Sequence, residues 1–197
     1  MGRIFYLMGK SASGKDTIYK KLRELCPELR SVVLYTTRPM RDGETDGVEY
    51  YFITSEELER FQKNGKIIEV RTYQTVHGPW SYATVDDGKI DLEHGNYLVI
   101  GTLESYVKMR DYYGTDVMEP LYVAVDDGVR LERALARERL QKEPKYAELC
   151  RRFLADEEDF SEEKRENCGI EKIYRNDDLE TCVKEIMEHM KDLCYTF

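Results

Sequence analysis

The sequence lacks any long apolar run. Near its N-terminus the longest is Ile4 to Met8, far short of the roughly 20 residues of a membrane-spanning helix or the core of a signal peptide. This predicts a cytoplasmic protein with no membrane partner. Positive charge is also scarce: 30 Lys and Arg against 39 Asp and Glu leave a net charge of −9 over 197 residues. Such a balance argues against a general nucleic-acid or membrane-surface binder, so an anionic ligand must be held by a local basic cluster. With 5 prolines and 13 glycines, a collagen-like or disordered chain is excluded. The five cysteines are odd in number and include no C-x-x-C pair, so neither a disulfide framework nor a zinc site is indicated and reduced thiols are expected. What is present is ordinary globular material, 41% hydrophobic and 35% charged, long enough for one domain with inserted pieces.

The order of patterns is that of an α/β protein. Ile4 to Met8 reads as a strand covered on both faces. Ile18, Leu22, Leu25 and Cys26 form a helical stripe that Pro27 stops. Ser31 to Thr36 reads as a second strand, Arg38 to Glu49 as a loop, and Tyr50 to Ile53 as a short strand. Thr54 and Glu57 predict a capping box for a helix running to about Asn64, followed by a strand from Ile67 to Tyr73. The stretch from Val76 to Gly95 carries turn signals at His77-Gly78-Pro79 and Asp86-Asp87-Gly88 and predicts no element of its own. Strands at Tyr97 to Ile100 and Leu121 to Val125 alternate with helices near Leu103 to Tyr112 and Val129 to Leu140, as in a parallel sheet. Gln141 to Glu148 reads as a lid loop, and the acidic run Asp156 to Glu163 as a solvated helix face. Ile173 and Tyr174 form a last strand. Asp177 and Glu180 then suit a cap for a final helix whose core stripe is Leu179, Val183, Ile186, Met190 and Leu193.

Gly9-Lys10-Ser11-Ala12-Ser13-Gly14-Lys15 follows a predicted strand and opens a helix, the context in which G-x-x-x-x-G-K is a phosphate-binding loop. Its N–H groups can turn inward at the positive end of a helix dipole, with Lys15 reaching the β- and γ-phosphates. The pattern asks next for Ser or Thr as a Mg²⁺ ligand, and here Asp16 precedes Thr17. Asp16 holds the metal, or Thr17 supplies the hydroxyl, or Asp16 caps the helix.

Thr36-Thr37-Arg38-Pro39-Met40-Arg41-Asp42-Gly43-Glu44-Thr45-Asp46-Gly47-Val48-Glu49-Tyr50-Tyr51-Phe52 resembles the acceptor-binding segment of the guanylate kinase family, T-T-R-x-x-R-x-G-E-x-x-G-x-x-Y-x-F, at every fixed position. The resemblance extends over most of the chain. It covers Ile68-Glu69, a segment from Gly78 through Tyr82, Ala83 and Thr84, the arginines of the lid, and Asn176-Asp177-Asp178. It implies a P-loop NTPase-type three-layer α/β core with a parallel sheet, an inserted nucleoside-monophosphate-binding domain and a lid. The corresponding divisions are a core of residues 1–33, 85–135 and 155–197, an insertion of 34–84 and a lid of 136–154. It further implies Mg²⁺-dependent transfer of the γ-phosphoryl group of ATP to GMP or dGMP, by a monomer or homodimer whose partners are small nucleotides.

By that resemblance Arg38, Arg41, Tyr50 and Tyr82 grip the GMP phosphate, Glu69 accepts from the guanine N1–H and amino group, and Thr84 keeps a pocket hydroxyl. Arg133, Arg137 and Arg152 converge on the transferred group, with Arg139 and Arg151 as substitutes, and Asn176 lies near the donor base. The residues suit the chemistry, because an acceptor that is already an anion needs alignment and charge neutralisation rather than a strong base. Some positions depart from the family pattern. Leu34 stands where a serine contacts guanine, Ala83 replaces a glycine, and Val99-Ile100-Gly101 replaces a D-I-D strand end. Two other readings remain open: a kinase for a different nucleotide or small phosphorylated acceptor, and a non-catalytic guanylate kinase-like binding module.

Overall fold

The computed structural model describes residues 1–41, 43–75 and 78–194. Asp42 of the acceptor motif and His77 of the turn signal lie outside them. The elements are β1 (Ile4–Met8), α1 (Lys15–Leu25), β2 (Arg30–Ser31), β3 (Tyr35–Thr36), β4 (Tyr51–Phe52), α2 (Ser55–Lys63), β5 (Ile67–Thr75) and β6 (Gly78–Val85), followed by β7 (Tyr97–Gly101), α3 (Leu103–Tyr113), β8 (Met118–Ala124), α4 (Asp127–Arg139), α5 (Tyr146–Asp159), α6 (Glu162–Asn167), β9 (Ile173–Arg175) and α7 (Leu179–Cys194).

Five strands form a parallel sheet in the order β2-β7-β1-β8-β9. β1 is central and buried on both faces, as its unbroken apolar run requires. Phe5 and Leu7 meet Ile18 and Leu22 of α1 and Cys182, Val183 and Ile186 of α7. Ile4, Tyr6 and Met8 face the other way, onto Leu103, Tyr106 and Met109 of α3 together with Phe160 and Ile170. This gives the three layers of a P-loop NTPase-type α/β core.

A second sheet, of order β4-β3-β6-β5, packs Tyr35, Ala83 and Val85 against Leu58 and Phe61 of α2. The capping box of α2 forms as expected: Thr54 Oγ1 accepts from Glu57 N–H at 3.2 Å and Glu57 answers the Thr54 N–H at 2.8 Å.

Three expectations change. The run Ser31 to Thr36 is two strands, because the chain passes from the large sheet at β2 to the small one at β3. The stretch left without an element contains β6, which pairs with both β3 and β5. At the start of α7 the cap is Asp178, whose carboxylate accepts the Thr181 N–H at 2.9 Å, while Asp177 turns to Arg175. Among the described residues no helix is long and apolar enough to cross a membrane.

Candidate active site

The loop after β1 must turn at once, since a Cβ on Gly9 would strike the Val123 carbonyl. Gly14 is the N-cap of α1 at φ 91°, and a Cβ there would strike Asn176 Nδ2. Ala12 sits at φ 62°, the one non-glycine residue in the left-handed region among those described. Ser13 N–H donates to the Lys10 carbonyl at 3.2 Å, and the N–H groups of Thr17 and Ile18 donate to the Gly14 carbonyl at 3.0 Å. The N–H groups of Lys15 and Asp16 have no intrahelical acceptor, as at any helix start, and carry the positive end of the dipole. The result is a curled backbone nest for an anion.

Lys15 is half-buried. Burial pushes its ammonium below the ordinary value, Asp16 and Asp156 oppose that shift, and Arg152 and Arg137 reinforce it. Three cations at one loop repel each other, and a polyanion placed among them relieves the repulsion. Arg137 and Arg152 line a cavity of about 160 Å³ together with Ser11. Arg152 Nη2 donates to Ser11 Oγ at 3.2 Å. Arg133 reaches the Asn176 carbonyl at 3.2 Å, and Asn176 Nδ2 donates to the Ser13 carbonyl at 2.7 Å, which ties the last strand to the loop. Arg139 is exposed, and Arg151 forks onto Glu148 with both contacts at 2.7 Å.

Asp16 and Thr17 are exposed in the first turn of α1, and among the described residues no side chain takes up their oxygens. The capping alternative for Asp16 is overturned, because the N-cap is Gly14.

The acidic run after residue 155 is not a solvated face at its start. Asp156 accepts the Ser11 N–H at 2.7 Å, and Glu157 takes the Lys10 ammonium at 2.6 Å. Between them lies Arg130, 1% exposed, donating to the Ser11 carbonyl at 3.1 Å, Asp156 at 3.1 Å, Glu157 at 2.8 Å and Asp127 at 2.5 Å. Sequence reasoning missed this clamp. Neighbouring residues carry no signal of it, because Arg130 shares its helix face with Asp127, Ala134 and Arg137, and its partners Ser11, Asp156 and Glu157 are distant in sequence.

The small sheet gathers the acceptor motif. Arg38, 4% exposed, forks onto Glu44 at 2.7 and 2.5 Å and lies over the rings of Tyr50 and Phe52 at 5.1 and 5.2 Å. The fork pulls the Glu44 carboxyl down to about 2. Arg41 is exposed, and its N–H donates to Glu44 at 2.8 Å. Tyr50 and Tyr82 meet edge to face at 5.6 Å, and burial raises the Tyr50 phenol.

Behind them, Glu69 and Thr84 are cross-strand neighbours on β5 and β6, 5% and 1% exposed. Glu69 Oε2 accepts from Ser105 Oγ at 3.1 Å and Thr84 Oγ1 at 3.5 Å. Its Oε1 is bound by Arg71 Nε, and Arg71 Nη1 donates to Thr102 Oγ1 at 2.8 Å. Thr102 follows Gly101 at the C-terminal end of β7, and Gly101 pairs with Met8 at the end of β1. The floor of the acceptor pocket therefore ends one strand away from the phosphate loop. A Cβ on Gly101 would strike the Tyr6 hydroxyl, so the position of the missing acid is filled by a phenol.

Comparison with known proteins shows what the sequence is similar to. A family model described as "Guanylate kinase" matches residues 1–87. The chain is 35% identical to a guanylate kinase of Fusobacterium nucleatum over 132 residues, 67% of this chain and 58% of that protein. It is 38% identical to one of Symbiobacterium thermophilum over 117 residues, 59% of this chain and 45% of that protein. The chain belongs to the guanylate kinase family. A 63-residue stretch, 32% of the chain, is 51% identical to 34% of the guanylate kinase of Frankia casuarinae. The matched stretches thus span between 34% and 58% of these curated relatives. The crystal structure of the guanylate kinase from Anaplasma phagocytophilum shares the fold, with a TM-score of 0.67 at 20% identity, over 97% of this chain and 85% of that one.

Proposed function

We propose that this guanylate kinase family member transfers the γ-phosphoryl group of ATP to GMP or dGMP. The observation that carries this reading is the gathering of Arg38, Tyr50, Tyr82, Thr84 and Glu69 on one small sheet, whose floor abuts the strand beside the phosphate loop. In this reading Gly9, Lys10, Ser11, Ala12, Ser13, Gly14 and Lys15 wrap the donor phosphates with main-chain N–H groups, and the Lys15 ammonium faces the β- and γ-oxygens. Lys10 contributes its backbone alone, since its side chain turns away to Glu157. Arg38 and Arg41 hold the acceptor phosphate by charge-assisted bonds, with Tyr50 and Tyr82 as neutral donors. Glu44 keeps the Arg38 plane fixed over two rings, so little side-chain entropy is lost when the phosphate arrives. The acceptor oxygen attacks the γ-phosphorus and ADP departs, while Arg133, Arg137 and Arg152 neutralise the spreading charge.

Mg²⁺ fits the hard oxygen donors at the start of α1, where Asp16 or Thr17 would hold it. When bound, it would neutralise charge on the β- and γ-oxygens. The lid corresponds to residues 136–154, the acceptor insertion to 34–84, and the setting is the cytoplasm, where all five thiols stay free.

The test is a coupled ADP-release assay across the nucleoside monophosphates. GMP and dGMP are expected to be turned over, and Arg38→Met with Arg41→Met together to lower kcat/KM by at least about a hundredfold, as two charge-assisted contacts require. ATP binding with no turnover of any monophosphate overturns the proposal in favour of a binding module. Turnover of another acceptor in preference to GMP overturns the choice of substrate.

A further inference from the structure

Glu69 is not alone in its pocket. Arg71, two residues along β5 and so on the same face, lies against it, and the two side chains are 14% and 3% exposed. Nε is committed to Glu69 and Nη1 to Thr102. Among the described residues no hydrogen bond takes up Nη2, and Arg71, with Thr102 and Tyr73, also borders a cavity of about 390 Å³ whose lining does not include Glu69. A guanidinium has five N–H donors and is never deprotonated, so an enclosed one with unused donors is set to meet an acceptor atom. The neighbouring hydroxyls are already spent: Thr84 and Ser105 on Glu69, and Ser81 on Thr72. Leu34 has no donor to offer.

We infer that Arg71 is a specificity-determining residue that donates to the O6 carbonyl of the acceptor base while Glu69 accepts from its N1–H and amino group. This rests on the reading of the site as a guanine-nucleotide acceptor pocket. A carboxylate beside a guanidinium presents acceptors next to donors, and guanine answers with two donors next to one acceptor along a single edge. Adenine offers one donor and one acceptor there, leaving part of the pair unmatched in a buried site. The guanidinium also holds the Glu69 carboxylate aligned in the absence of ligand, which pre-pays the ordering of the reader.

The experiment compares kcat/KM for GMP, 6-thio-GMP and IMP in the wild type and in Arg71→Met. The sulfur of 6-thio-GMP is a weak acceptor that leaves N1–H and the amino group intact, whereas IMP lacks the amino group. The wild type is expected to prefer GMP over 6-thio-GMP by about tenfold or more, the range of a charged hydrogen bond. In Arg71→Met that preference is expected to fall to within about twofold, while the GMP-to-IMP preference persists. Equal use of GMP and 6-thio-GMP by the wild type overturns the inference without recourse to any variant. So does an unchanged preference in an Arg71→Met protein that melts as a folded protein, or a collapse of the GMP-to-IMP ratio alone, which would make Arg71 a positioning residue for Glu69. If the wild type turns over none of the three, the acceptor reading itself fails and this role with it.

Discussion

Ala12 illustrates how a single residue records a conflict between sequence and backbone. Its φ of 62° suits glycine, and an alanine there is strained. Ala12→Gly is expected to stabilise the protein by roughly 0.5–1 kcal/mol, with chemical denaturation as the measurement; a loss of stability would contradict the loop conformation. Glu44 makes the opposite case, a residue whose partner defines it. Its folded value of about 2 lies below the ordinary 4.5, so the pair contributes stability in full above about pH 5, and that contribution is lost as pH falls from there toward 2. Glu44→Gln is expected to cost about 2 kcal/mol at neutral pH and to flatten the acid limb of the stability profile, which urea titrations at several pH values would show. The arginine of this pair was legible from its motif. Its confinement over Tyr50 and Phe52 was not, because ring contacts depend on how β3, β4 and the loop between them fold back.

Among the elements, α5 departs furthest from its pattern. Asp156 and Glu157 resemble solvated acids, yet they tie this helix to the phosphate loop through Arg130, whose guanidinium also stacks on Phe153 at 4.7 Å. Removing one partner from a buried charge cluster leaves the others uncompensated, so Arg130→Met is expected to destabilise by about 3 kcal/mol or more. The freed Ser11 loop should also bind ATP more weakly, a loss that titration calorimetry on the folded variant would detect; unchanged ATP affinity would separate the clamp from donor binding. β1 was readable from an apolar run that must be covered on both faces, and α1 and α7 from an apolar stripe that must face the core wherever the helix packs. The short strands β2 and β3 were not, since two-residue pairings carry too little pattern to reveal a change of sheet.

For the molecule as a whole, donor and acceptor nucleotides are expected to bind to separate structures, a backbone loop and a small sheet, that meet where β1 and β7 lie side by side. A non-hydrolysable ATP analogue at a hundred times its Kd should stabilise the fold by about 2.7 kcal/mol, and GMP should add its own increment. The Arg38→Met, Arg41→Met protein should lose the GMP increment in thermal melts and keep that of the analogue. Loss of both would mean that the two sites are one.

The sequence by itself determined the local chemistry: a glycine-bearing loop before a helix, a spaced set of arginines and tyrosines, and apolar stripes that dictate a layered core. These follow from backbone freedom and from period, which neighbouring residues are enough to set. Tertiary structure decided which charges meet. Arg130 with Asp156 and Glu157, Lys10 with Glu157, and Tyr6 in the space beside Gly101 arise from strands and helices remote in the chain. The energy of a buried charge depends on those neighbours rather than on its own place in the sequence.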